Sequence, residues 1–381
     1  MRGCALWGEV RREAMTTPIT PHRSGGRAQR TLARAAGDRR VLAGAAATTA
    51  GAALAAGVAR ELLSRDDGAD GSDPARAYRI KRDEKAAEAV RRIIAGRLDD
   101  ALEQLNERLD DDVGEAVHEA RKDLKKARAV LRMVRHRMDD DIYQRQNVRL
   151  RDAGQALAGT REVEAKVGTI EALEERFGDE LPAVTPALKR DLESARDGLV
   201  AARADADSEV RAAARGASEA IAATRMSIDS WSFSKPGWKL VGPGIERSYL
   251  RGRNRFRDVR RDPTSENIHE WRKRIKDLWY DLRLLRDSWP DVMSKMGDEA
   301  HELADLLGDH HDLTVLAADL RSRDSVAADG DDEVTPLLNA IEGRQEELLE
   351  AAVPIGERLY AESPKAFGKR MHAYWRAWRP G

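Results

Sequence analysis

The chain of 381 residues has a single cysteine, Cys4. An internal disulfide is therefore impossible, and a cysteine-rich metal site is excluded with it. A reducing compartment suits such a chain. Aromatic residues are scarce too, at 5%, while charged residues make up 35% and Ala, Leu, Arg, Glu and Asp abound. That is the composition of long helices rather than sheets. No glycine-rich phosphate loop occurs, and no Ser or Cys nucleophile is set beside a His. The sequence therefore lacks the phosphate cradle of P-loop enzymes and the nucleophile–base pair of covalent hydrolases. Net charge is nearly absent as well, at −1. A balanced total still permits a strongly segregated field, so the distribution of charge matters more than its sum. The length suffices for one or two domains with a sizeable core.

What the chain does have is one helix written twice. The stretch Ile268 to Trp289 carries Ile268, Trp271, Ile275, Leu278, Leu282, Leu285 and Trp289 at alternating spacings of three and four. This is the seam of a helix packed in a bundle. Val117, Ala120, Leu124, Ala127, Leu131 and Val134 stand 151 positions earlier in the same register. A register kept over that distance marks an internal repeat. Beside each seam runs a basic stripe: His118, Arg121, Lys122, Lys125 and Arg132 in the first copy, His269, Arg272, Lys273, Lys276 and Arg283 in the second. At about 100° per residue each set falls on one arc flanking the seam. Such residues are often solvated partners of acids on a neighbouring helix; agreement between two copies argues for a further role.

The segments VHEARKDLKKARAVLR and IHEWRKRIKDLWYDLRLLR resemble the signature helices of the CHAD domain, the conserved histidine α-helical domain. The likeness extends to LGDHHDLTVL (Leu307 to Leu316), RDPTSENIHEWRK (Arg261 to Lys273) and, more loosely, ALAGTREVEAKV (Ala156 to Val167), and it covers about residues 80 to 360. The resemblance implies an all-helical fold that binds inorganic polyphosphate and associates with polyphosphate granules. The implied contacts are His118, Arg121, Lys122, Lys125, His269, Arg272, Lys273 and Lys276. Two positions depart from the pattern: Asp123 interrupts the first basic series, and Ala129 stands where the second copy has Tyr280. Weaker binding by the first half is expected from these.

The order of segments supports an all-α chain of two pseudo-symmetric four-helix bundles. Residues 1–75 form a basic, Ala-rich arm with a linker, DDGADGSDP. Within it Val41 to Ala59 is an uncharged run that three readings fit: a membrane segment, an export signal following Arg39-Arg40, or a plain helix. Met15 is an alternative start. Residues 76–229 hold the first four helices, expected at Lys81–Leu109, Glu115–Met138, Asp141–Phe177 and Thr185–Met226. Residues 230–244, SWSFSKPGWKLVGPG, are expected to be a non-helical linker. Residues 245–362 hold the second four, with Thr264 as the N-cap of the signature helix, and 363–381 form a basic aromatic tail expected to dock as a helix.

If the fold faces the two stripes across a pseudo-two-fold axis, they form one positive groove for a long anion of regularly spaced charges. Arg247, Arg251, Arg253, Arg255 and Arg257, on the helix before the second signature, would extend its wall where their spacing lets them point inward, Arg251 and Arg255 foremost, with His310 and His311 at its mouth. A histidine in that field would donate more strongly when protonated, so tighter binding at mildly acid pH is expected. Catalytic signals are poor. His118-Glu119 and His269-Glu270 begin like HExxH, but Lys122 and Lys273 occupy the second ligand position. Glu162, Glu164 and Lys166 spell ExExK within a helical pattern, which spreads the two glutamates apart. His310, His311 and Asp312 fit either a polar brace or part of a metal site. The expectation is a cytoplasmic, non-enzymatic polyphosphate-binding protein, without cofactor, metal or nucleic-acid partner. Oligomeric state and membrane contact through 41–59 stay open. The rival readings are a metal-dependent polyphosphate or triphosphate hydrolase, and an adaptor for nucleic acid or membrane surfaces.

Overall fold

A computed structural model of the chain describes residues 75–157, 161–178, 186, 189–190, 203–324 and 335–379. All regular structure among these is helical. The N-terminal helices are α1 (Ala86–Glu103), α2 (Val113–Val134), α3 (Asp140–Ala156), α4 (Arg161–Phe177) and α5 (Arg203–Ser227). They are followed by α6 (Trp238–Arg261), α7 (Ser265–Leu284), α8 (Pro290–Asp324), α9 (Thr335–Leu359) and α10 (Pro364–Trp378). Helices α1, α2 and α3 start at 86, 113 and 140, and α6, α7 and α8 start at 238, 265 and 290, offsets of 150–152 residues.

Short polar side chains set several of these starts. Asp112, Asp139, Thr264 and Ser363 each accept a hydrogen bond from the backbone N–H three residues on, at 3.0, 3.0, 3.3 and 3.2 Å. Each cap stabilises its helix by about 1 kcal/mol. Pro364, first in α10, has no N–H to leave unsatisfied there.

Helix α2 packs on α1 and α3, and α5 closes against α1 and α3. Helices α6 to α9 pack in series, α10 lies on α6, and α2 also touches both α6 and α7. One apolar cluster runs through α1–α3 and on into α6–α8 and α10. A smaller one joins Ile170 and Leu173 of α4 to Leu313, Leu316, Leu320, Leu337 and Ile341 of α8 and α9. The first seam is buried throughout, Val117 to Val134, and so is the second from Ile268 to Leu285.

Three expectations need correction. Trp289 is 47% exposed and packs edge-on against Tyr374, with ring centroids 4.9 Å apart. Helix α7 ends at Leu284, and Pro290 restricts the residue before it to extended backbone, which carries Trp289 out of the seam. The single helix expected over 141–177 is two, α3 ending at Ala156 and α4 beginning at Arg161.

The linker expected at 230–244 is helical from Trp238 on, with Pro243 inside α6. A proline there removes the N–H that would bond the carbonyl four residues earlier. That carbonyl, of Lys239, instead accepts from Nε of Arg137 at 3.1 Å. Gly244, one residue on, allows α6 to approach α2: a Cβ there would collide with the Met133 carbonyl. The tail docks as expected, α10 burying Phe367, Met371 and Trp375. No helix among the described residues is long and apolar enough to cross a membrane. Residues 41–59 lie outside them.

Candidate functional site

The two stripes meet different fates. In α2, Lys122 pairs with Glu119 at 2.8 Å, the acid one turn before it, and His118 Nε2 lies 3.9 Å from the same carboxylate. Arg121 is half-buried and Lys125 exposed on the same helix. Asp123, which interrupts this series, is buried and holds Arg97 of α1 at 3.0 Å and Lys126 at 3.9 Å. Its place in the sequence is thus explained by a buried ionic network. Arg132 reaches across to α7 and pairs with Asp277 at 2.5 Å. This ion pair joins the two signature helices.

In α7 the stripe turns toward α8. The His269 ring lies 4.2 Å from that of His311, and Lys273 pairs with Glu270. Gly308 of α8 leaves room for the Arg272 guanidinium, since a Cβ there would stand 3.0 Å from Nη2. His269 Nδ1 and Arg272 Nε are buried without a hydrogen-bond partner. Burial holds the His269 imidazole down to about 4, with His311, Lys273 and Arg272 adding to the effect. The charge expected on this histidine at mildly acid pH is therefore opposed by its surroundings. Lys276, half-buried, lies near His301, whose Nδ1 bonds Asp305 at 2.6 Å. Arg283 is buried, stacked over Tyr78 and Trp279 at 5.7 and 5.0 Å; it braces the core edge.

His310 and His311 diverge. His311 faces His269, whereas His310 is buried with Nδ1 unpartnered and its carbonyl accepting from Thr314 and Gln345. No group of three or more His, Cys, Asp or Glu side chains gathers to hold a metal among the described residues. Of ExExK, only the Lys166 side chain is described, paired with Asp319 at 3.0 Å.

A cluster of positive charge lies elsewhere among the described residues, where α6 packs on both α2 and α7. A small pocket is lined by Arg132, Arg135, Arg247 and Arg251, with Ser248, Tyr143, Asp277 and Asp281. It shares Arg251 with an open cleft of 450 Å³ whose walls include Arg255, Arg257, Arg261 and Arg274. Several of these cations are partnered: Arg274 with Asp277 at 2.9 Å, Arg255 with Asp258 at 3.0 Å, and Arg135 over the Tyr143 ring at 5.1 Å. Arg247 and Arg251 have neither ion pair nor hydrogen bond among the described residues. Burial holds both guanidiniums below their usual range, and neighbouring arginines push them further the same way. Nearby Arg128 is lowered to about 10, by burial first and then by Arg132. A region where cations depress one another is a site of high positive potential, which an arriving anion relieves.

Sequence reasoning named Arg132, Arg247, Arg251, Arg255 and Arg257 of this cluster and missed Arg135, Arg261 and Arg274 as wall residues. A signal was present: Arg247, Arg251 and Arg255 recur every fourth residue, which places them on one helical face. Arg253 points away and donates to the Tyr360 carbonyl at 3.1 Å.

A family model, that of the CHAD domain, matches residues 92–321. Among solved structures, PptA from Streptomyces chartreusis is similar with a TM-score of 0.49 and 16% identity, over 73% of this chain and 100% of that one. No curated protein matches the chain.

Proposed function

The chain belongs to the CHAD domain family, and from that premise we propose that it captures inorganic polyphosphate without catalysis, in the arginine-lined cleft along α6. One observation carries this reading: Arg247 and Arg251, adjacent, half-desolvated and without carboxylate partners, stand where a narrow pocket opens into a wide cationic cleft. Guanidinium forks match phosphate oxygens in geometry and cannot lose their charge at physiological pH. A chain of phosphates entering the cleft meets further arginines at Arg255, Arg257 and Arg274 without any need to read a sequence. The α7 stripe at His269, Arg272, Lys273 and Lys276 is a second wall in this proposal, with two buried nitrogens awaiting acceptors. Association with polyphosphate granules follows from the same capture and is checked by imaging a fluorescent fusion.

The experiment is a titration of the full chain with long-chain polyphosphate at rising salt, repeated with Arg247→Glu plus Arg251→Glu and with Lys273→Glu plus Lys276→Glu. Steep weakening with salt is expected, because each neutralised phosphate releases counter-ions. The α6 pair is expected to be the more damaging. Equal competition by tripolyphosphate and long chains, per phosphate, would count against an extended cleft. Phosphate release that needs Mg²⁺ or Mn²⁺ and is lost in Asp312→Ala would overturn the non-catalytic reading.

A further inference from the structure

Asp281 is an acid in the wrong place for an anion site. It is 2% exposed and lies against the pocket formed by Arg132, Arg135, Arg247 and Arg251. Ser248 hydrogen-bonds its carboxyl, while Oδ2 is buried with no hydrogen-bond partner among the described residues. A second acid, Asp277, lies one turn away and is already engaged by Arg132 and Arg274. From α3 the Tyr143 ring faces the same space, and from the segment before α1 the buried Tyr78 ring lies close behind. His136, next to Arg135, is pushed below the usual imidazole range by burial and by Arg247, which favours its neutral form.

The pocket thus sets four guanidiniums against two carboxylates, and only one of those carboxylates is fixed in ion pairs. A phosphate drawn to the arginines would be repelled by Asp281 if that carboxyl were ionised. We propose that Asp281 makes anion capture proton-linked: the pocket takes up a proton at this carboxyl as it takes up a phosphate. The inference rests on the polyphosphate reading and names the regulation of that same site. Its chemistry balances simply. The proton comes from solvent, the carboxylate becomes neutral, and the pocket gains one positive charge toward the ligand. Burial raises the Asp281 carboxyl to about 7, with Asp277 adding and Ser248, Arg132 and Arg247 opposing. The exchange therefore falls in the physiological range.

Two measurements on the full chain test this. The first follows the Asp281 carboxyl by ¹³C NMR across pH, in the protein alone and with pyrophosphate. A midpoint near 7 that rises with pyrophosphate is expected; titration in the ordinary carboxylate range overturns the inference. The second measures long-chain polyphosphate affinity from pH 6 to pH 9 in wild type and in Asp281→Asn. Wild type is expected to weaken about tenfold more than the variant over that range, the effect of one unit in a carboxyl pKa. The ligand's own end groups and the histidines are common to both proteins, so the difference reports Asp281. Binding with the same pH profile in both sinks this inference alone. Absence of binding in both sinks it together with the polyphosphate reading.

Discussion

Arg132 of α2 lies 2.5 Å from Asp277 of α7, and the same aspartate holds Arg274 at 2.9 Å. One carboxylate thereby ties the two signature helices together and occupies two cations at the edge of the cleft. What it leaves uncovered is the pair behind it, Arg247 and Arg251. The occupied arginines shape the wall, and the unoccupied ones supply the attraction.

Replacing Arg247 and Arg251 together by alanine is expected to weaken polyphosphate binding by about 2–4 kcal/mol, the range for two charge-assisted hydrogen bonds partly compensated by water. The dependence of affinity on salt should become shallower as well. Because neither side chain has an ion pair or hydrogen bond among the described residues, unfolding by urea should show no loss of stability. A variant that binds as tightly as wild type would remove the cleft from the argument.

Asp281 also predicts a pH dependence of stability. Its folded carboxyl titrates at about 7, above the ordinary value of 3.8. A raised carboxyl contributes stability that is fully present below the unfolded value and is lost as pH rises through the folded one. Asp281→Asn carries no such loss. The variant should therefore melt higher than wild type at pH 8, by roughly 2–4 kcal/mol in stability, and the gap should close toward pH 4. Parallel melting curves across pH would contradict the burial of this group as a charge.

Asp123→Ala should destabilise the first half by about 1–3 kcal/mol, because it removes a buried carboxylate from Arg97, which keeps Asp100 at 2.6 Å, and from Lys126. Burial already raises this carboxyl to about 6, with Lys126 and Arg97 opposing. Asp123→Asn, which keeps a hydrogen-bond acceptor for Arg97, should cost less. Chemical denaturation of the three proteins at pH 7.5 decides the order.

Gly244→Ala tests the approach of α6 to α2. The added methyl would collide with the Met133 carbonyl, a backbone atom that cannot rotate aside. A loss of about 3 kcal/mol or more is expected, at or above the upper range for overpacking. The pocket that Gly244 lines should open with it, so polyphosphate affinity should fall too. Wild-type stability in this variant would show that the helices have slack at their crossing.

Much of this molecule is legible before folding. Alternating three- and four-residue spacing places Val117 to Val134 and Ile268 to Leu285 in the core, and every one of them is buried. Side-chain periodicity is a property of the helix alone, so sequence suffices to find a buried face. Caps are local as well, which is why Thr264 could be named in advance. Trp289 broke the pattern only where a proline ended the helix beneath it.

The sequence by itself determined the helices, their inward faces and the existence of cationic ridges along them. Only the tertiary structure decided which cations stay uncovered. Arg132 and Lys273 found carboxylates and Arg283 found aromatic rings, while Arg247 and Arg251 found each other. A helix carries the spacing of its own charges but no record of which neighbour will face them, and electrostatic energy depends on that neighbour and on the water removed between the two. The same reason hid Asp281: one acid among many in the chain, it became a buried proton acceptor only when α6 and α2 closed over it.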